Sequence, residues 1–212
     1  MTAAADARFW DRVATKYAAA RIGDPGGYEH TLERTRGLLR PDDHVLELGC
    51  GTGMTAMRLA GSARSYLATD FSGNMIAIGN DRLQQQPVAG LAFRQAAADD
   101  LAAEDRRFDV VLGFNYLHLT RDPRATLEAI GRLLRPGGLF VSKTPCLGEM
   151  NFLVGRVLLP AMRAVGLAPH VNVLTGDGLK KLVAEANFSI AAVEHHASKG
   201  SKARPFIVAV KG

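Results

Sequence analysis

Two features of the sequence combine residue types that could bind a nucleotide-like ligand. The first is a cluster of three glycines, Gly49, Gly51 and Gly53, directly after a short apolar run. Glycine has no Cβ, so such a turn can adopt positive φ and approach a ligand closely. The second is Asp70, about twenty residues after Gly49, the spacing at which Rossmann-like folds place an acid on ribose hydroxyls. A cap for the following helix is the alternative role of Asp70, although Ser72 is available for it.

The glycine cluster needs a buried strand that turns tightly into a helix. The apolar run from Val45 to Leu48 predicts the strand, and the pattern from Met54 to Ala60 predicts the helix. Ligands bind open α/β sheets at the carboxyl ends of such strands. Further strands are predicted at 66–69, 91–95, 107–113, 139–142, 188–196 and 206–211, with helices at 6–20, 28–39, 74–85, 124–134, 148–168 and 174–186. This alternation is typical of an α/β, doubly wound, mostly parallel sheet.

The glycine cluster, with Glu47 before it, resembles the first motif of the class I S-adenosylmethionine (SAM) dependent methyltransferases. The dinucleotide fingerprint would need glycine at position 54, where the sequence has Met54. The segment Leu133 to Phe140 is similar to the Leu-Lys/Arg-Pro-Gly-Gly segment of the same family. The opening Phe9-Trp10-Asp11-Arg12, with Tyr17, resembles small-molecule methyltransferases of the quinone-biosynthesis C-methyltransferase type.

The resemblance implies one methyltransferase domain over 1–212, with a seven-stranded Rossmann-like sheet whose last strand is antiparallel. Within it we expect N-terminal lid helices over 1–40, a SAM-binding core over 41–146, a helical cap inserted after strand five over 147–174, and a C-terminal helix with closing strands over 175–212. The implied function is SAM-dependent methyl transfer to a small hydrophobic acceptor, such as a quinone, an aromatic natural product or a lipid.

The resemblance also implies which residues contact SAM and its product S-adenosylhomocysteine (SAH). The family usually has Asp where this sequence has Ala97, so the adenine amino group is assigned to Asp99 and a ring nitrogen to the backbone N–H of Ala98 or Asp99. An ordinary solvated acidic loop is the alternative for this stretch. The full predicted set comprises Glu47, Gly49, Cys50, Gly51, Gly53, Asp70, Phe71, Ala98, Asp99, Asn115 and Tyr116.

Two residues are candidates for catalysis, because an O–H or C–H acceptor must lose a proton. His118 follows the fourth predicted strand, and imidazole titrates near neutral pH. Its alternative is a packing role in the following turn. Tyr17, in the predicted lid, is the second candidate, and His170 ranks below both.

Composition restricts the partner classes. With 47% hydrophobic and 22% charged residues, the 212-residue chain is typical of one soluble domain. The net charge is +5, but the basic residues are scattered, so nucleic-acid binding is not indicated. Two cysteines are too few for a disulfide framework or a cysteine-based metal site, so we expect no metal and a reducing cytoplasm. The first residues lack the pattern of a signal peptide.

The apolar stretch from Leu147 to Val173 is expected to bound an acceptor pocket. Arg156 and Arg163, seven residues apart, suggest a weak peripheral contact with anionic lipid, against the alternative of a helix that buries one face on the domain. An NAD(P)-dependent oxidoreductase is a competing function, disfavoured by Met54 and by the lack of a Tyr-x-x-x-Lys pair. A non-catalytic SAM-binding module is another, since fold alone does not establish activity. The oligomeric state is left open.

Overall fold

A seven-stranded β-sheet forms the centre of the protein. The computed structural model describes residues 3–149, 169–198 and 203–212. The strand order is β3-β2-β1-β4-β5-β7-β6, and β7 alone runs antiparallel to its neighbours within the described sheet. The strands are β1 (His44–Leu48), β2 (Ser65–Asp70), β3 (Leu91–Gln95), β4 (Phe108–Phe114), β5 (Leu134–Lys143), β6 (Phe188–Glu194) and β7 (Phe206–Lys211). The predicted doubly wound sheet with an antiparallel last strand is confirmed.

Helices connect most of these strands. They are α1 (Ala3–Ala19), α2 (Pro25–Arg36), α3 (Met54–Leu59), α4 (Gly73–Gln85), α5 (Ala98–Ala102), α6 (Pro123–Leu133) and α7 (Gly176–Glu185). Short 3₁₀ turns cover Ala60–Ser62, Leu117–Leu119 and Leu147–Glu149.

Two hydrophobic clusters cover the two faces of the sheet. Successive residues of a strand point to opposite faces, so Val45 enters one cluster and Leu46 the other. On β4, Val110 and Val111 divide in the same way, and both are buried. Burial on both faces explains why these central strands read as continuous apolar runs rather than alternating ones.

The second helix begins earlier than the sequence analysis predicts. It starts at Pro25, not at Tyr28, and the side chain of Asp24 accepts a hydrogen bond of 3.0 Å from the backbone N–H of Gly27. Proline suits the first helical position because its missing N–H would have no partner there, and aspartate is a strong N-cap. The glycine-rich segment therefore opens the helix instead of only preceding it.

The fifth strand also begins earlier, at Leu134 instead of Leu139. Leu134 pairs with Phe108, and the register shifts before Val110 pairs with Leu139. Asp109 lies at this irregularity. One of its carboxylate oxygens accepts from the backbone N–H of His44 at 2.7 Å, and the other accepts from the guanidinium of Arg135.

A polar network fastens α2 to the ends of β5 and β6. His196, only 2% exposed, hydrogen-bonds the hydroxyl of Thr31 at 3.1 Å and the carboxylate of Glu194 at 3.0 Å. The ammonium of Lys143 donates to the same Thr31 hydroxyl at 2.6 Å, and the ring of His30 stacks on His196 with centroids 4.1 Å apart. His196 lies beyond β6, which ends at Glu194 and not at His196 as predicted.

Several predictions fall outside the described residues. Of the predicted cap over 147–174, residues 150–168 lie outside the described ranges, as do Arg156 and Arg163, so the cap and the lipid contact stay predictions. The single-domain boundaries and the cytoplasmic setting also stay predictions. Among the helices of the described ranges, none combines the length and apolar character needed to cross a bilayer.

We expect Asp109→Ala to lower the free energy of unfolding by about 1 to 3 kcal/mol, because it removes an acceptor from a backbone N–H of β1 and breaks the contact with β5. Chemical denaturation would measure the change. Asp105→Ala is the matched control, since the Asp105 side chain is fully exposed and its nearest cation, on Arg107, is 3.8 Å away. Equal stability of the two variants would contradict the role of Asp109.

Candidate functional site

A cavity of about 580 Å³ opens at the carboxyl ends of the central strands. Its volume lies within the range of small-molecule sites. The residues that follow β1, β2, β3 and β4 contribute to its wall, together with one face of α1. The structure brings to this wall the following residues predicted from the sequence: Tyr17, Gly49, Gly51, Asp70, Phe71, Ala98, Asp99, Asn115, Tyr116 and His118.

The backbone of the glycine turn forms part of the cavity wall. Gly49 and Gly51 have φ values of +66° and +54°, which other residues rarely adopt. A Cβ on Gly49 would lie 2.5 Å from Cδ2 of Tyr116, and a Cβ on Gly51 would lie 3.5 Å from Cε1 of Tyr17. The turn therefore requires glycine at position 49 for both conformation and space.

Three predicted cofactor residues do not line the described cavity. The carboxyl group of Glu47 is 3% exposed and accepts a hydrogen bond of 2.7 Å from the hydroxyl of Tyr66. Gly53 packs against the ring of Phe93, which a Cβ would approach to 2.4 Å. Cys50 is buried, and its thiol donates to the Gly51 carbonyl at 3.6 Å. These contacts support the turn, and direct cofactor contact by the three residues stays a prediction.

Asp70 is held at the cavity by two backbone groups. It is the last residue of β2 and is 8% exposed. Its Oδ2 accepts from the N–H of Gly51 at 3.0 Å, and its Oδ1 accepts from the N–H of Ser72 at 2.9 Å. A carboxylate offers about four acceptor sites, so each oxygen keeps capacity for a ligand hydroxyl. Burial raises the pKa of Asp70, and the two N–H bonds oppose that rise. Ser72, not Asp70, caps α4 through its hydroxyl, which accepts from Met75 N at 3.2 Å.

The start of α5 supplies the next part of the wall. Ala97, Ala98 and Asp99 all line the cavity. The adjacent acid, Asp100, accepts from the backbone N–H of Ala97 at 2.9 Å and so closes the first turn. Asp99 is therefore the acid of this pair that faces the cavity, as the predicted adenine contact requires.

One face of α1 closes a side of the cavity. Asp6, Trp10 and Tyr17 are spaced by four and seven residues, so they share a face, and all three line the cavity. Asp6 pairs with Arg121 at 2.6 Å. Nearby, Asp11 accepts from the hydroxyl of Ser72 at 2.6 Å, which ties α1 to the start of α4. The opening of this helix as a lid stays a prediction.

Neither candidate catalytic residue titrates near neutral pH. Burial, followed by the charges of Asp70 and Glu47, raises the pKa of Tyr17, so its phenol keeps its proton. Burial and the charge of Arg204 lower the pKa of His118 to about 4. The near-neutral titration expected for His118 is thus wrong. Its imidazole is neutral at pH 7, and its Nδ1 is buried without a hydrogen-bond partner among the described residues. Catalytic roles for both residues stay predictions.

Sequence reasoning missed several cavity residues, including Asp6, Thr126, Pro145 and Arg204. Arg204 comes just before β7. Because β7 is antiparallel, it starts at the edge where the parallel strands end. The predicted topology could therefore have pointed to this residue. His170 does not line the cavity, and both of its ring nitrogens are buried without a partner among the described residues.

The described residues contain no cluster of side chains suited to bind a metal ion. No three His, Cys, Asp or Glu side chains of residues 3–149, 169–198 and 203–212 converge in a way that could hold an ion. The absence of a metal stays a prediction for the whole chain.

Comparison with known proteins identifies one family. A family model described as "Methyltransferase domain" matches residues 17–193. The chain is 30% identical over 145 residues to the ubiquinone biosynthesis O-methyltransferase of Cereibacter sphaeroides, a match that covers 67% of this chain and 58% of that protein. It is 36% identical over 184 residues to the demethylmenaquinone methyltransferase of Mycobacterium marinum, which covers 82% of this chain and 77% of that protein.

The fold is also found among solved structures. A crystal structure of a SAM-dependent methyltransferase from Thermotoga maritima, described as a possible histamine N-methyltransferase, superposes with a TM-score of 0.71. The superposition covers 98% of this chain and 100% of that one, at 19% sequence identity. At this identity the similarity shows that the two chains share a fold.

We expect the stability of the protein to depend on pH through Glu47. Burial raises the pKa of Glu47 to about 7, against the opposing hydrogen bond from Tyr66. Because the pKa is raised in the folded state, the stabilisation that the neutral Glu47 carboxyl group gives to the fold is complete below its unfolded-state pKa. This stabilisation is lost as pH rises toward 7. Glu47→Gln should therefore gain stability relative to the parent chain between pH 5 and 8, by up to about 3 kcal/mol. Denaturation at several pH values would measure this, with the exposed Glu128→Gln as control. Parallel stability curves for parent and Glu47→Gln would refute it.

We expect Gly49→Ala to weaken SAH binding at least tenfold, about 1.4 kcal/mol, because the new Cβ meets the Tyr116 ring and φ is positive. Isothermal titration calorimetry would measure the dissociation constant. Gly61→Ala is the control, since a Cβ there has no neighbour within 4 Å. Unchanged affinity in Gly49→Ala would show that the turn does not form the binding surface.

Proposed function

Because the chain belongs to the methyltransferase domain family, whose model covers residues 17–193, we propose that it transfers a methyl group from SAM to a small hydrophobic ring acceptor. One observation carries this proposal. The Asp70 carboxylate is fixed by the N–H groups of Gly51 and Ser72, beside a glycine turn in the wall of one cavity. An acid and a glycine turn at adjacent strand ends suit a ribose and the chain attached to it.

The residues present fit an adenosyl ligand. Asp70 would hold the ribose hydroxyls through its remaining acceptor sites. Asp99 and the start of α5 would hold the adenine ring, and the Gly49 to Gly51 backbone would lie along the amino-acid portion. A Cβ on Gly49 would collide with the Tyr116 ring, which already occupies that side, whereas a Cβ on Gly51 would have only Tyr17 within 4 Å. The missing Cβ at position 51 therefore leaves open a part of the cavity close to the backbone, which supports binding of a ligand there.

Bound SAM supplies an electrophilic methyl group on a sulfonium, so the protein has to bind, orient and exclude water. Trp10 and Tyr17 on α1 would cover the site from one side, and Phe114 and Tyr116 would form the wall after β4. Neutral His118 can exchange hydrogen bonds with an acceptor, but it is too weak a base to hold a proton at pH 7.

The acceptor is proposed to be a hydroxylated aromatic or quinone-type ring. Trp10, Phe114, Leu119 and Pro145 give the cavity an apolar wall that suits a flat ring. The relatives named above are methyltransferases of ubiquinone biosynthesis and of demethylmenaquinone, and their names point to the same acceptor class. The match spans 58% of the first relative, so its substrate is carried to this chain only as a proposal.

Asp70→Ala should weaken SAH binding by about ten- to a hundredfold, because it removes a charged acceptor from the ribose hydroxyls. Calorimetry would measure the dissociation constant, and circular dichroism would confirm that the variant is folded. Asp81→Ala, an exposed acid on α4, should bind SAH like the parent chain. A folded Asp70→Ala that binds SAH normally would overturn the proposed site.

Turnover separates the enzyme from a non-catalytic SAM-binding module. Purified protein would be incubated with methyl-labelled SAM and a panel of catechols and quinols, and label in the extracted ring product would be counted. We expect label in at least one product, and none with Asp70→Ala. Tight SAH binding without turnover across the panel would favour the non-catalytic module. Family membership argues against the oxidoreductase alternative, as Met54 does in the sequence.

A further inference from the structure

Arg204 lies in the cavity on the side away from the proposed ribose site. It lines the cavity immediately before β7, near Pro145, which follows β5. In the sheet order, β7 is three strands from β1. At a strand spacing of about 4.8 Å, this separates the start of β7 from the glycine turn by roughly 14 Å. The space beside Arg204 is therefore left for the acceptor.

The charge of Arg204 has no carboxylate partner in the part of the chain that the structure describes. Its guanidinium makes no ion pair with any acid of residues 3–149, 169–198 and 203–212. The remaining residues, 1–2, 150–168 and 199–202, contain no Asp or Glu. The other arginine of the cavity wall, Arg121, differs because it pairs with Asp6 at 2.6 Å. Arg204 is thus a cation of the cavity wall with no ion-pair partner among the described residues.

The charge of Arg204 acts on two basic side chains, Lys143 and His118. The acid Asp122 also lines the cavity, and its side chain accepts from the backbone N–H groups of Arg124 and Ala125. Burial, followed by the charge of Arg204, lowers the pKa of Lys143, whose ammonium donates to the hydroxyl of Thr31 and to the carbonyl of Gly27. The same two causes keep His118 neutral at pH 7. Arg204 therefore attracts an anion to this side of the cavity, where His118 is neutral at pH 7 and is a weak base.

We propose that Arg204 binds the methyl acceptor through an ionised ring hydroxyl, so that the acceptor is held in the cavity as a phenolate. This inference rests on the proposed function and names the form of its substrate. When the acceptor binds, its O–H bond breaks, the electron pair stays on oxygen, and the proton leaves to solvent water. A cation within about 4 to 6 Å lowers the pKa of an acid by 1 to 3 units, so no protein base is needed. A guanidinium donates strong, charge-assisted hydrogen bonds to an oxyanion.

The test uses 4-nitrocatechol, whose phenolate form absorbs visible light. Its ionisation midpoint would be titrated free and bound to the protein, with and without saturating SAH. We expect the bound midpoint to lie at least about 1 pH unit below the free one. Arg204→Met should move it back to the free value and weaken binding of the anion about tenfold or more. Arg204→Lys should keep part of the shift, because the charge remains.

Arg124→Met is the matched control, since Arg124 is exposed on α6 and pairs with Glu185 outside the cavity wall. It should keep the midpoint of the parent chain. An unshifted midpoint in the parent chain, or an equal shift in Arg204→Met, overturns the inference. A further outcome is that Arg204→Met weakens binding of 4-nitrobenzoate but does not change the ionisation midpoint of bound 4-nitrocatechol. In that case Arg204 binds a carboxylate, and the proposed binding of a phenolate is overturned.

SAH affinity separates this inference from the function on which it rests. Arg204→Met should bind SAH within about twofold of the parent chain by calorimetry, because the residue lies on the acceptor side. Loss of SAH binding in this variant alone would place Arg204 on the cofactor and overturn the inference. Failure of the parent chain to bind SAH would overturn the proposed function, while the midpoint measured without SAH would still report on Arg204.

Discussion

The Asp70 carboxylate is the group on which the arrangement of the site depends. It links the glycine turn after β1 to the start of α4 by accepting from the N–H groups of Gly51 and Ser72. Ser72 in turn donates to Asp11, which fastens α1 beside the cavity. A buried carboxylate is stable only when such donors compensate its desolvation. One acid therefore fixes the glycine turn and, through Ser72 and Asp11, the position of α1 beside the cavity.

Charge is distributed unevenly across the cavity. Asp70 and Asp99 line it near β2 and β3, whereas Arg204 lines it near β5 and β7. Glu47 adds a further carboxyl group to the first side, although Tyr66 binds it away from the cavity wall. Asp70 is buried, so its charge is weakly screened, whereas Asp99 and Arg204 are exposed and act mainly on a group that they contact directly. The proposed adenosyl ligand and the proposed phenolate suit these two sides.

Sequence patterns predicted most elements but misplaced some of their ends. The second helix begins at Pro25 because Asp24 caps it, although the glycines that follow read as an interruption. The fifth strand begins at Leu134, because pairing with Phe108 extends it through a segment that reads as a helix stop. The first error concerns a local signal, since Asp24 followed by Pro25 is itself a helix start. The second arises because pairing with a strand distant in sequence overrides local propensity.

The sequence by itself determined the order of most strands and helices along the chain, the position of the glycine turn and the presence of an acid at the end of β2. Apolar periodicity and glycine placement are local properties of the chain, and parallel topology brings successive strand ends to one edge. Only the tertiary structure decided that Tyr66 binds Glu47, that His118 stays neutral, and that Arg204 lines the cavity without an ion-pair partner among the described residues. Burial and charge proximity depend on side chains that are distant in sequence, so no local pattern contains them.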